Sequence, residues 1–231
     1  MRSNSIDHSA AFFDVDGTLT SERVWQGMLE YFQHRGLRQG THLLYVGLHY
    51  PTYIFRKLGM ISEATFRRPW AANMAWYLRG YTPKDCEPIW DWIVNRYLNS
   101  AWRNDILKIL REHINAGSPV VLVSSGPRPM IKQIAIELGS SHAVGTELET
   151  KNGRYTGRSI KPICIDHYKA SMAQKYLKDQ GIVVNLKESY AYADSTSDLQ
   201  MLEMVGNPVA VYPDNGLRKI AIERNWRIIP E

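Results

Sequence analysis

Cysteine is scarce: Cys86 and Cys164 are the only two in 231 residues. Two thiols so far apart cannot lace a small secreted scaffold, and the plain reading is two reduced thiols in a cytoplasmic protein. Long apolar runs are missing as well. Residues 1–11 carry one arginine and no apolar stretch of signal-peptide length ahead of Asp14 and Asp16, so secretion is not expected. Within residues 41–61, the runs Leu43-Leu44-Tyr45-Val46 and Tyr53-Ile54-Phe55 are interrupted by Pro51, Arg56, Lys57 and two histidines. That falls short of the ~20 apolar residues of a membrane span. The segment is expected to pack within its own helical region, with peripheral membrane contact as the minor alternative. Internal repeats and low-complexity tracts are absent too, which sets aside solenoids and disordered arrays.

What is present is an ordinary globular composition, 44% hydrophobic and 22% charged, in a chain long enough for one large domain or a core with a sizeable insertion. The net charge of +5 is unevenly spread. Residues 22–111 hold 13 Lys/Arg against 7 Asp/Glu, while the remainder holds 15 against 16, so the whole basic excess sits in one segment. Such a segment attracts anions of any kind, from nucleic acid to phosphorylated metabolites.

Residues 10–13 form a short apolar strand that ends abruptly in Asp14-Val15-Asp16-Gly17-Thr18, and α/β proteins place ligands at such carboxyl ends. From about residue 24 to 102 the texture becomes aromatic and helical in period, as in Trp25, Met28, Leu29 and Phe32. Beyond it, helices near 104–116, 130–138, 168–178, 199–205 and 217–223 alternate with strands near 119–123, 143–148, 189–193 and 208–211. Alternation of this kind implies parallel βαβ units. Asn152-Gly153 between two short polar-apolar runs signals a hairpin.

Four motifs carry the chemistry. Asp14 and Asp16, two apart on a strand, would point the same way and could share a metal while one attacks and the other moves protons. A calcium loop is excluded because Leu19-Thr20-Ser21 lacks the intermediate ligands. Val120-Val121-Leu122-Val123-Ser124-Ser125-Gly126 is a strand ending in hydroxyls and a glycine. Lys169 opens a helix and stands, like Lys161 and Lys175, between the second and fourth of these motifs. Asp194-Ser195-Thr196-Ser197-Asp198 follows the apolar Tyr190-Ala191-Tyr192-Ala193, and with Asp14 and Asp16 makes an oxygen-rich set suited to Mg²⁺.

In this order and spacing the motifs resemble the haloacid-dehalogenase superfamily, and most of all its phosphoserine-phosphatase-like branch. The resemblance implies a doubly wound parallel sheet, the core comprising residues 1–21 and 103–231, with a helical cap of residues 22–102 inserted after the first strand. It implies a Mg²⁺-dependent phosphatase acting on a small phosphomonoester. Asp14 would attack phosphorus to give an aspartyl-phosphate and Asp16 would protonate the leaving oxygen and then activate water. Ser124, Ser125, Gly126 and Lys169 would bind the phosphoryl group, and Asp14, the Asp16 carbonyl and Asp194 would hold Mg²⁺ with Asp198 behind them. Ala193 replaces the family's glycine before Asp194, and Asp166 stands where relatives often have glycine. Phosphoserine phosphatases place a glutamate nine residues after the nucleophile; here that residue is Arg23, with Glu22 one earlier, which argues against phosphoserine itself. Arg23, Glu22, Arg67 and Arg68 are the candidate readers of the leaving group. Tryptophans 70, 76, 90 and 92 are expected to be core. Nucleic acid is not expected as a partner. The alternatives are a phosphotransferase or mutase on the same fold, a phosphatase of lysophospholipid type, hydrolytic dehalogenation, which needs neither Asp16 nor Asp194, and a non-enzymatic anion-binding module.

Overall fold

The computed structural model describes residues 9–230. The first eight residues, on which most of the secretion reading rests, lie outside them. Strand β1, Ala11–Asp14, is followed by a helical stretch: α1 (Val24–His34), α2 (Gln39–Lys57), α3 (Glu63–Asn73), a 3₁₀ turn at Met74–Leu78, α4 (Pro83–Trp92) and a π turn at Ile93–Tyr97. The alternating region then runs α5 (Asn104–Asn115), β2 (Val120–Pro127), α6 (Arg128–Glu137), β3 (His142–Thr146), β4 (Leu148–Lys151), β5 (Arg154–Ser159), α7 (Tyr168–Asp179), β6 (Tyr190–Ala193), a 3₁₀ turn at Thr196–Asp198, α8 (Leu199–Glu203), β7 (Asn207–Val211), α9 (Asn215–Glu223) and β8 (Arg227–Ile229).

Six parallel strands form one sheet in the order β3-β2-β1-β6-β7-β8. The chain builds outward from β1 on one side and then returns to β1's other edge with β6, so the order reverses between β1 and β6 and a crevice opens at their carboxyl ends. Strand pleating sends alternate residues to opposite faces, and both faces are covered. Phe13, Leu122 and Tyr192 join the core under α5 and α6, while Phe12, Val121 and Ala191 join the one under α7, α8 and α9. This is why the strands are continuously apolar instead of alternating. Phe13 stacks on Tyr192 with ring centroids 4.3 Å apart, locking β1 to β6 beneath the crevice.

The doubly wound α/β expectation is met, with local corrections. The strand expected to run from 143 to 148 divides: β3 stops at Thr146, and Leu148 starts the hairpin β4-β5, whose Asn152 and Gly153 both adopt positive φ (51° and 73°), as a type I′ turn requires. Edge strand β8, only three residues long and partly exposed, escaped the periodicity argument. Helix α2 runs through Pro51 without ending. Its residues were expected to pack inward, yet only Tyr45 and His49 are buried; Leu43, Leu44, Leu48, Ile54 and Phe55 face solvent. The inward positions are taken by an aromatic cluster in which the Tyr45 hydroxyl donates to the Trp70 carbonyl at 2.9 Å, leaving the apolar face outward. Among the described residues no helix is long and apolar enough to cross a membrane.

Phe13→Ala should remove the stack and leave a cavity under the sheet. The expected cost is about 3–5 kcal/mol, read as a lower midpoint in urea unfolding, with Phe13→Leu losing clearly less.

Candidate active site

Pairing of β1 ends at Asp14, and the backbone then turns through Asp16-Gly17-Thr18. Gly17 makes this turn possible twice over. Its φ of +93° is strained for any side chain, and a Cβ would sit 2.1 Å from Asp194 Oδ2. The turn returns the Thr18 hydroxyl to donate to Asp14 Oδ2 at 3.0 Å. Asp16 stands in the turn instead of on the strand, so the simple pleat argument does not orient it. Its Oδ1 accepts from the Val24 N–H at 2.6 Å, at the start of α1, and its Oδ2 accepts from the Ser124 hydroxyl at 3.3 Å. Its carbonyl accepts from Arg23 Nη1 at 2.8 Å.

From the first turn of α7, Lys169 reaches into this cluster while only 4% exposed. Its Nζ lies 2.6 Å from Asp14 Oδ1 and 2.6 Å from Asp198 Oδ1. The rivals are elsewhere: Lys161 is exposed, and Lys175 pairs with Asp179 on the outer face of α7. Asp166, at the position that relatives often fill with glycine, takes φ +51°, the left-handed geometry glycine favours, and its carbonyl accepts from the Lys169 N–H. Asp194 follows β6 directly and Asp198 closes the 3₁₀ turn. One carboxylate oxygen from each of Asp14, Asp194 and Asp198 lies within 4.8 Å of the others. The carboxylate cluster therefore contains Asp198, which was expected behind the ligands, whereas the Asp16 carboxylate is held apart by Val24 and Ser124.

Crowding of acids in a buried place sets their protonation. Burial, reinforced by the charge of Asp14, pushes the Asp16 carboxyl up to about 6. The same two causes push Asp194 up to about 7, opposed by Arg23, whose Nη2 is 3.6 Å from its Oδ2. Burial also raises Asp198, against the pull of Lys169. For Lys169 burial acts downward, but Asp14 and Asp198 outweigh it and hold the ammonium charged well above the ordinary lysine range.

The cluster floors a cavity of about 760 Å³. Ser125 and Gly126 line it from the end of β2; the Ser124 hydroxyl is buried beneath, donating to Asp16 and accepting from the Gly126 N–H at 3.1 Å. A Cβ on Gly126 would meet Met130 at 2.9 Å, so this glycine also serves close packing of α6. The opposite wall comes from the helical stretch through Arg23, Trp25, Tyr53, Arg56, Arg67 and Trp70. Of the four candidate specificity residues, Arg23 and Arg67 line the cavity and the other two do not. Arg68 pairs with Asp166 at 3.0 Å, and exposed Glu22 accepts from the Tyr97 hydroxyl at 3.1 Å. Trp70 borders the cavity as well as the core, while Trp90 is buried as expected. Sequence reasoning passed over Thr18, which lay inside a quoted motif, and Asp214, which caps α9 and accepts from the Thr196 N–H at 3.2 Å. An acid three residues past the end of the apolar strand β7, just before a helix, was the available signal for Asp214.

An open parallel sheet with acids gathered at its switch point and helices inserted after the first strand defines a doubly wound α/β protein of the Rossmann type with an oxygen-rich site in its crevice. The profile of the haloacid dehalogenase-like hydrolases matches residues 11–203, and this chain belongs to that family. Phosphoserine phosphatase SerB1 of Mycobacterium tuberculosis is 31% identical over 226 residues, covering 95% of this chain and 70% of its own. The histidinol-phosphatase of Neisseria meningitidis is 32% identical over 123 residues, 52% of this chain and 55% of its own. Among solved structures, a protein from Bordetella pertussis Tohama I superposes with a TM-score of 0.82 at 25% identity, covering 96% of this chain and 98% of that one. A substrate-bound phosphoserine phosphatase shares the fold, with a TM-score of 0.62 at 18% identity over 97% and 93% of the two chains.

The raised acids have a thermodynamic consequence in metal-free protein. An acid whose folded pKa is near 7 instead of 3.8 binds a proton in the folded chain that the unfolded chain has already lost. Stability therefore falls as pH rises from about 4 to 7 and stays low above it. In EDTA at pH 8, Asp194→Asn should stabilise by on the order of 2 kcal/mol, raising Tm by roughly 4–8 °C, with a smaller gain at pH 5. Calorimetric scans of both proteins at the two pH values check this.

Proposed function

We propose that the chain is a Mg²⁺-dependent phosphatase that hydrolyses a small phosphomonoester through an aspartyl-phosphate formed on Asp14. The observation that carries the proposal is the setting of Asp14: a buried carboxylate at a strand end, held by Lys169 and Thr18, with Asp194 and Asp198 within reach of a common ion. A calcium-binding or purely structural role needs no buried ammonium against the same carboxylates.

The residues fit the metal. Asp14, Asp194 and Asp198 offer a set made only of oxygen, and Asp198 Oδ1 is buried without a well-aligned hydrogen bond despite its contact with Lys169. Four buried acids, counting Asp16, face one buried ammonium and the partly exposed Arg23, so a divalent cation would relieve the repulsion that raises Asp16, Asp194 and Asp198. Bound there by Asp14, Asp194 and either Asp198 or the Asp16 carbonyl, Mg²⁺ would offset charge between Asp14 and an incoming phosphate.

In the first half-reaction a carboxylate oxygen of Asp14 forms a bond to phosphorus as the ester P–O bond breaks, and the Asp16 carboxyl gives its proton to the departing oxygen. A carboxyl near 6 is well placed for this, since roughly a tenth remains protonated at pH 7 and the Val24 N–H fixes its position. In the second, water attacks phosphorus, its proton passes to Asp16, and Asp14 is released. Lys169 and the N–H groups around Ser125 and Gly126 would neutralise and cradle the phosphoryl oxygens. Residues 22–102 act as the cap over a core of residues 1–21 and 103–231, excluding water and selecting the leaving group through Arg23, Arg67 and the aromatic wall. SerB1 is named for phosphoserine, but Arg23 beside the acids favours an anionic or aromatic leaving group over the ammonium of serine. A cytoplasmic setting suits the two buried free thiols.

Phosphate release from a panel of phosphorylated metabolites, with and without Mg²⁺, tests the proposal. Wild type should require the metal, and Asp14→Asn should lose activity by on the order of 10³-fold or more. Equal activity in that variant, or turnover independent of Mg²⁺, would overturn it. Within the same panel Arg67→Ala should raise KM for substrates with an acidic leaving group and leave neutral ones within about twofold.

A further inference from the structure

Helix α2 is amphipathic in the wrong direction for a surface helix. Its solvent side, from residue 43 to 55, carries no charge: Leu43, Leu44, Leu48, Tyr50, Ile54 and Phe55 are each at least 41% exposed. These positions, with Gly47 and Pro51, fall on two adjacent rows of the helix at i, i+3, i+4 and i+7 spacing and so make one stripe. Leu58 and Met60, each 67% exposed, extend it past the helix end. Nineteen residues give a rod of roughly 28 Å. Singly exposed leucines are unremarkable, but a continuous stripe of this length marks a contact surface.

Charge identifies the occupant. Between Tyr31 and Ser62 the sequence has no Asp or Glu, and it has Arg35, Arg38, Arg56 and Lys57 at the two ends of α2. Arg56 pairs with Glu63; Arg35, Arg38 and Lys57 lie over the rings of Tyr31, Tyr81 and Tyr53, Arg38 also donating to the Arg79 carbonyl, and none of the three has an acidic partner among the described residues. A second copy laid antiparallel on this face would bring Lys57 against Arg38 at both ends with nothing to neutralise them. An anionic lipid surface meets both requirements, taking the apolar stripe into the headgroup boundary and the flanking cations among its phosphates.

We infer that α2 docks the protein on anionic bilayers, lying in the plane of the interface. The inference is independent of the chemistry proposed above. It nevertheless touches that chemistry, because the opposite flank of the same helix supplies Tyr53 and Arg56 to the cavity wall. A seated helix would hold that wall within about one helix diameter, ~10 Å, of the lipid.

Co-sedimentation with vesicles is the test, using the 231-residue chain with phosphatidylcholine alone or with about a quarter phosphatidylglycerol. Wild type should partition onto the anionic vesicles at least tenfold better than onto neutral ones, and raising salt from about 0.1 to 0.5 M should weaken the binding. Leu43→Glu/Leu48→Glu should reduce partitioning at least tenfold while leaving the circular dichroism spectrum and turnover of a soluble phosphomonoester unchanged. Lys57→Glu, which spares the stripe, should lose only the anionic preference. Failure of wild type to bind anionic vesicles, or wild-type binding by the double variant, overturns the inference. A concentration-dependent dimer abolished by the double variant, without vesicle binding, would assign the face to a second copy and overturn it equally.

Discussion

A lysine ammonium buried between two buried carboxylates is the contact on which the rest of the arrangement depends. Stripped of partners, Lys169 would lose its proton to burial, and Asp14 and Asp198 would repel one another. The two carboxylates keep on Lys169 a charge that burial alone would remove, and the contact spans 155 residues of sequence, from the end of β1 to the first turn of α7. Removing Lys169 leaves two uncompensated buried carboxylates, so the contact also fixes where α7 and the Thr196–Asp198 turn sit relative to β1.

The sheet exists in a form that makes this possible. Because the strand order reverses at β1, the carboxyl ends of β1, β2 and β6 open on the same crevice, and each delivers polar groups exactly where its apolar run stops: Asp14 and Asp16, Ser124 and Ser125, Asp194. Hydrophobic burial on both faces holds these ends in register, as in the Phe13–Tyr192 stack directly below the site. The acids themselves oppose folding, as the upward shifts of Asp16 and Asp194 record. Apolar packing below the site thus offsets electrostatic strain within it, the usual division between scaffold and function.

Much of this was legible in the residues before any coordinates. The apolar runs ending in Asp14 and Asp194 are abrupt enough to locate strand ends, whereas β2 runs on past Ser124 to Pro127, and Asn152-Gly153 admits essentially one turn. Legibility failed where the outcome depends on three-dimensional competition. Periodicity could not see that Leu148 leaves the sheet for the hairpin, since an apolar residue suits either. Nor could it separate Arg67, which faces the cavity, from its neighbour Arg68, which turns away to Asp166. The pleat argument aimed the Asp14 and Asp16 carboxylates the same way, but the turn at Gly17 gives the Asp16 carboxylate to the Val24 N–H, while Asp198 stands beside Asp14 against Lys169.

Helix α2 shows the same limit from the other side. Counting apolar residues in 41–61 leads to an inward-packing helix, because burial is the ordinary destination of leucine and phenylalanine. The structure instead fills the inward side with Tyr45 and His49, whose rings pack on Trp70 and Trp76 and whose polar atoms find partners in the Trp70 carbonyl and Asn73. Aromatic residues with polar tips can fill an interior and still pair with polar groups of a neighbouring helix, whereas aliphatic side chains at 45 and 49 would leave the Trp70 carbonyl and the Asn73 amide without these partners. Once the inner face is satisfied in this way, the leucines have no interior left to enter. Their exposure follows from the packing of the helical region itself, and it sets a surface without charge on the element that also walls the acid-floored cavity.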